Sequence, residues 1–221
     1  MKRFTKQLGM WVAIALVLMS LTGCGGTTKP TAEGDVETRL AQGRQYFDQG
    51  SLAEAVREFQ AVTRMDPASV EGHFRLGNAY FQQGNLAEAA QEFQKTLELD
   101  QENVDACSNL GAVYYQQGQF EKAQTEFGRA LSLASDDAEV RYNLGAAYLQ
   151  QSKLDAGIAE FREGLRLDPN LARPYFGLGN AYKLQGKTQE AVEALEEFLL
   201  LSDDAELRVV AEALLTELKA P

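Results

Sequence analysis

The sequence predicts an all-α fold, a solenoid of five helical hairpins closed by one further helix, and three observations carry that prediction. First, a glycine followed three positions later by tyrosine returns every 34 residues, at Gly43/Tyr46, Gly77/Tyr80, Gly111/Tyr114, Gly145/Tyr148 and Gly179/Tyr182. Second, twelve residues after each glycine stands Ala55, Ala89, Ala123, Gly157 or Ala191, and four further on Phe59, Phe93, Phe127, Phe161 or Leu195. Third, Gln-Gly or Gln-Ser pairs at 49–50, 83–84, 117–118, 151–152 and 185–186 punctuate the chain between those two sets. Only 19 of 221 residues are glycine, so five in phase with five tyrosines are not an accident of composition. A fixed period of this length marks stacked two-helix units.

The elements follow in chain order. Lys2, Arg3 and Lys6 precede an apolar run from Leu8 to Leu21, too short for a comfortable membrane span, which reads as an export signal. Its end, Leu21-Thr22-Gly23-Cys24, resembles the lipobox of bacterial lipoproteins. That resemblance implies cleavage before Cys24 and lipid on its sulfur, so 1–23 is expected to be a signal peptide and Cys24 the membrane anchor. Residues 24–35 then read as a tether, and a coil from 25 to 35 would span about 17–20 Å.

Five repeats are expected at 36–69, 70–103, 104–137, 138–171 and 172–205. With the recurring glycine numbered 8, positions 4, 7, 8 and 11 form one stripe of a first helix, and 20, 24 and 27 one stripe of a second. Glycine at 8 and alanine at 20 remove bulk where the helix axes cross, and the aromatics at 11 and 24 fill the space beside the crossing. Glycine suits the left-handed residue that ends the first helix. Asp66-Pro67 and Asp168-Pro169 stop the second, because proline disfavours helical geometry in the residue before it. Residues 203–219 place Leu207, Val210, Ala211, Leu214 and Leu218 at helical spacing, a capping helix for the open end of repeat five, with Asp203-Asp204 at its start.

This pattern resembles the tetratricopeptide repeat (TPR) family from Val36 to Ala205, which implies a right-handed superhelix whose concave face binds peptide segments. Position 4, often aromatic in the family, carries Arg39, His73, Cys107 and Arg141, with Tyr175 alone aromatic. Gly157 and Gly164 are expected to loosen the second helix of repeat four, each by about 1 kcal/mol against alanine.

Composition and charge bound the function. At 45% hydrophobic and 24% charged, the chain is ordinary globular material. Loss of the signal removes three of 21 basic residues, leaving 18 against 32 acidic and a net charge of −14, which repels nucleic acid and anionic lipid alike. With Cys24 carrying lipid, Cys107 is alone and reads as a small core residue, and His73 as a packing residue without metal-binding neighbours. Gly186-Lys187-Thr188 lacks the earlier glycine of a phosphate loop, Ala181 standing there, and joins two helices. No catalytic or metal residue, and no cofactor, is expected.

Function is therefore expected on the surface. Positions 2, 5, 6, 9, 12 and 13 share a stripe turned about 200° from position 8, which stacking gathers into a concave wall. The groove residues expected there are Arg44, Phe47, Arg75, Asn78, Phe81, Asn109, Tyr115, Asn143 and Asn180. Asparagine can pair with a peptide N–H and C=O together, aromatics can cover apolar side chains, and the arginines can hold a carboxylate. Lys122 and Glu126 are expected on the exposed convex side. The expectation is a non-enzymatic, lipid-anchored protein–protein adapter or assembly scaffold of the bacterial envelope, in the outer membrane where there is one. Its architecture resembles lipoproteins that assist pilus-secretin assembly or recruit cell-wall hydrolases. A binder of small molecules such as peptidoglycan fragments is the alternative.

Overall fold

The computed structural model describes residues 32–220, so the export signal and Cys24 lie outside the described residues. Eleven helices follow one another, and no strand occurs among the described residues. The hairpins are α1(Ala32–Asp48) with α2(Leu52–Met65), α3(Val70–Gln82) with α4(Leu86–Leu99), and α5(Val104–Gln116) with α6(Phe120–Leu133). They continue with α7(Ala138–Gln150) and α8(Leu154–Leu167), then α9(Ala172–Leu184) and α10(Thr188–Leu201), and α11(Ala205–Leu218) closes the array. Helix α1 begins at Ala32, inside the segment read as a tether. Asp35 in its first turn complements the positive end of the helix, which favours extending it there.

The turn chemistry explains the hairpins. Gly50, Gly84, Gly118 and Gly186 all have φ between 73° and 77°, and Ser152 takes the same left-handed role at φ 58°. Asn103, Asp137 and Asp204 cap α5, α7 and α11 by accepting hydrogen bonds from backbone N–H groups of the first turn. Each close crossing is set by the spine glycine: a Cβ at Gly111 would lie 2.7 Å from Phe127 Cδ1. The position-24 aromatics Phe59, Phe93, Phe127 and Phe161 are buried in consequence. Helix α8 runs unbroken through Gly157, and a Cβ there would sit 2.3 Å from Leu149 Cδ1. That glycine serves close packing of α7 on α8.

Two polar series run along the array, the first tying one repeat to the next and the second tying the two helices of a repeat, and neither is visible as local periodicity. In the first, position 25 of one repeat donates to the spine tyrosine of the next: Gln60 Nε2 to Tyr80 Oη, Gln94 Nε2 to Tyr114 Oη, and Arg162 Nη2 to Tyr182 Oη, each at 2.7 Å. The junction between repeats three and four has Gly128 at that position, and open space lies where its Cβ would stand.

The second series starts from position 4. Arg39 Nη1 and Arg141 Nη1 donate to Glu58 and Glu160 at 2.8 Å, and His73 Nδ1 lies 2.6 Å from Glu92. His73 Nε2 and Arg141 Nη2 also face backbone carbonyls of the preceding loop, Pro67 O and Ser135 O. Cys107 breaks the series, and there the cation comes from the other helix. Arg129 donates to Gln101 O and stands 3.9 Å from Glu126. Glu126 is thus not the exposed convex residue expected from the sequence: only 19% of its side chain is accessible and its buried Oε2 has no hydrogen-bond partner. Burial pushes its carboxyl above the usual range, against the pull of Arg129, and likewise pushes up the Cys107 thiol.

At the end of the array, Ala211 and Leu215 of α11 are buried with Leu195 and Phe198 of α10. Arg208 Nη1 donates to the carbonyls of Leu199 and Ser202, fixing the corner between the two helices. Val209 and Val210 remain exposed on the outer face.

Candidate functional site

The concave stripe of α1 and α3 closes over one cleft of about 130 Å³, lined by Arg44, Phe47, Asp48, Phe59, Arg75 and Asn78. Four of the nine groove residues read from the sequence, Arg44, Phe47, Arg75 and Asn78, converge here. Their helices make the convergence: positions 9 and 12 of α1 face positions 6 and 9 of α3 across one repeat junction. The ring of Phe59 forms an apolar floor although the residue counts as core.

Glu71 organises the cations at the mouth. Its Oε1 accepts from Arg44 Nη1 at 3.0 Å and lies 3.4 Å from Arg75 Nε. All three side chains are about 40% accessible, so each pair is worth no more than about 1 kcal/mol and exchanges readily. Asp48 adds a second carboxylate to the lining. Glu71 and Asp48 were missed as individuals. Their positions, 2 and 13, belong to the concave stripe, and that is the signal that points to them.

The asparagine row is partly self-paired. Asn109 Nδ2 donates to Asn78 Oδ1 at 2.8 Å, linking repeats two and three across the groove wall. Asn180 Nδ2 donates to Phe176 O of its own helix at 3.1 Å. The Asn143 amide has no hydrogen-bond partner among the described residues. Phe81 and Tyr115 are half-buried and pack against the central core cluster, so their rings are spent largely on packing. Tyr115 also meets Phe120 edge-on, with ring centroids 5.4 Å apart. Phe81, Tyr115, Asn143 and Asn180 thus lie outside the cleft. Toward the C-terminus, Lys183 Nζ pairs with Glu217 of α11 at 2.7 Å, which ties the last groove cation to the cap.

Among the described residues, no group of three or more His, Cys, Asp and Glu side chains stands where it could hold a metal ion. No helix among them is long and apolar enough to cross a membrane.

Models of the tetratricopeptide repeat match residues 40–104, 92–125 and 172–204, and a TPR repeat model matches 113–152 and 147–186. No curated protein matches the chain. Among solved structures, MamA is 27% identical with a TM-score of 0.68, the match covering 71% of this chain and 92% of that one. YrrB, described as a TPR protein with an unusual peptide-binding site, is 22% identical with a TM-score of 0.70, over 84% of this chain and 94% of its own. PilF of Pseudomonas aeruginosa is 18% identical with a TM-score of 0.69, over 85% and 90%. The last two likenesses are of fold.

Proposed function

Because the chain belongs to the tetratricopeptide repeat family, we propose that it is a non-enzymatic adapter that holds an extended segment of a partner protein along its concave face. The observation that carries this reading is the convergence of Arg44, Arg75 and Asn78 over the apolar floor of Phe47 and Phe59. An apolar side chain of the partner fills the floor. The guanidinium pair holds an acidic group, which displaces Glu71 from an exchangeable contact. Asn143 supplies a free donor and acceptor further along the wall. YrrB, whose fold this chain shares, is described as having an unusual peptide-binding site, which supports a peptide as the kind of partner.

We place this adapter at the bacterial cell envelope, anchored through lipid on Cys24, on the strength of the basic start, apolar run and lipobox. A small-molecule carrier is the weaker reading. The concave cleft, about 130 Å³, falls below the roughly 300–1,000 Å³ of ordinary ligand pockets, and the larger hollows of about 410 and 530 Å³ are open surface grooves that enclose no ligand.

The test is affinity capture from cross-linked membranes with the full chain as bait, followed by affinity measurement on what is captured. Replacing Asn109 and Asn143 together with alanine should weaken the partner at least about tenfold, at roughly 0.5–1.5 kcal/mol per net hydrogen bond. Arg75→Ala should add to the loss and flatten its salt dependence. A partner that binds these variants normally, but is lost on substitution of α11, would move the site off the groove.

A further inference from the structure

The convex side carries a groove of about 530 Å³ between repeats four and five, lined by Arg162, Tyr175, Leu178, Tyr182, Glu190, Glu193, Ala194 and Glu197. A groove of the same register, about 410 Å³, lies between repeats two and three, but its walls mix Gln94, Gln101 and Arg129 with Glu98 and Glu126. What distinguishes repeat five is a double replacement. In repeats one, two and four position 4 is a basic residue in contact with a glutamate at position 23, as in Arg39–Glu58, His73–Glu92 and Arg141–Glu160, and repeat three keeps the glutamate, Glu126, with Cys107 at position 4. In repeat five these positions are Tyr175 and Ala194, so the ion pair is gone and the floor is apolar.

The rim has changed in the opposite sense. Glu190, Glu193 and Glu197 stand at i, i+3 and i+7 on the exposed face of α10. Repeats one to four carry no more than one carboxylate at the three equivalent positions. Glu190 and Glu197 have no hydrogen-bond or ion-pair partner among the described residues, and Glu193 receives only Gln189 Nε2 at 2.8 Å. Cations already lie against one wall: Arg162 and Lys187 sit 5.9 and 5.8 Å from the Tyr182 ring centroid. The Tyr175 ring has no such cation, and its hydroxyl points back to Pro169 O at 3.4 Å.

We propose that this groove is a second docking surface, separate from the concave face, and that it takes a lysine or arginine side chain from a basic segment of a partner protein. A long basic side chain is the occupant whose chemistry matches both parts. Its aliphatic stem lies on Leu178, Ala194 and the Tyr175 ring, and its charged head reaches the three rim carboxylates. A carboxylate or phosphate would face a net negative rim, and a purely apolar segment would leave the carboxylates uncompensated. The groove needs no partner at the concave cleft, so the two surfaces can bind separately.

The experiment is an NMR titration of the full chain with the peptide acetyl-Ala-Lys-Lys-Ala-amide, against the matched peptide with glutamine in place of lysine. Saturable shifts of the Tyr175 and Tyr182 ring resonances are expected with the lysine peptide, and none with the glutamine peptide. Combining Glu190→Gln, Glu193→Gln and Glu197→Gln should weaken binding at least about tenfold. The charge-matched control, Glu37→Gln with Glu102→Gln and Glu121→Gln on exposed sites elsewhere, should change it less than about twofold. Equal loss in both triple variants would show diffuse attraction to an acidic protein and overturn the proposal, as would lysine-dependent shifts that spare both tyrosines. Asn109→Ala with Asn143→Ala should leave this titration unchanged, which separates it from the concave reading.

Discussion

The vacancy at Gly128 allows the inter-repeat tie to be measured by adding one. At three of the four repeat junctions position 25 hydrogen-bonds to the next spine tyrosine at 2.7 Å, and at the fourth the glycine leaves open space beside Tyr148. Gly128→Gln should therefore restore the missing contact without a clash. Gly128 lies in the interior of α6, so the substitution removes a helix penalty of about 0.6 kcal/mol, glycine being about 1 and glutamine about 0.4 worse than alanine. The half-exposed hydrogen bond adds about 0.5–1.5 kcal/mol. The sum, about 1–2 kcal/mol, corresponds to a rise of roughly 2–8 °C for a chain of this size. Thermal and urea unfolding followed by circular dichroism would measure it, with Gly128→Ala as the control that gains propensity alone. Adding Tyr148→Phe to Gly128→Gln should return the gain to about 0.6 kcal/mol, the propensity of glutamine alone and below the alanine control at about 1 kcal/mol. If Gly128→Gln gains no more than about 0.6 kcal/mol, or if the tyrosine change leaves its gain intact, the tie contributes nothing and the reasoning fails.

Gly111→Leu should cost about 1–3 kcal/mol or more, because even a Cβ would stand 2.7 Å from the buried Phe127 ring; an unchanged melting temperature would refute the close crossing. Glu126→Gln should raise stability at pH 7. Its folded carboxyl titrates above the ordinary value of 4.5, so the charged form carries a penalty at neutral pH that fades as pH falls through the folded pKa toward that value. Urea midpoints at pH 7 and pH 4.5 should show a gain at the first and little at the second, and a gain equal at both would discard the burial argument. Cys24→Ser should abolish labelling by a radioactive fatty acid and block maturation at this site, and a variant still in membranes with lipid attached would end the lipoprotein reading.

The helices and their crossings were legible because the information is local. A glycine at 8, an alanine at 20 and a phenylalanine at 24 specify one hairpin by helical spacing alone, and five copies in phase leave no other register. The stripe of groove positions was equally legible, since a helical wheel places Arg44 and Phe47 on the same face as Arg75 and Asn78. What those side chains do to one another was not. Glu71 between two arginines, Asn109 on Asn78, and Asn180 turned onto its own backbone depend on the offset between repeats and on rotamers. Glu126 was misplaced for a related reason. A charge on a second helix is usually solvated, but the glutamates at position 23 of repeats one to four are all about four-fifths enclosed, and with Cys107 standing 19 residues earlier this one lacks the basic partner its equivalents have.

The position-4 contacts also govern how the molecule can change length. Arg39, His73 and Arg141 each find their carboxylate within the same repeat, and beyond it His73 and Arg141 reach a backbone carbonyl that any neighbouring sequence supplies. Each of these side-chain contacts is therefore completed inside its own module. Excising residues 104–137 would bring Gln94 opposite Tyr148, where Gly128 now offers nothing, and would strand no buried ion of the flanking repeats. Duplication or loss of whole modules thus leaves the position-4 contacts of the flanking repeats intact, and the reach of the groove along a partner can be lengthened or shortened in unit steps without redesign of either end.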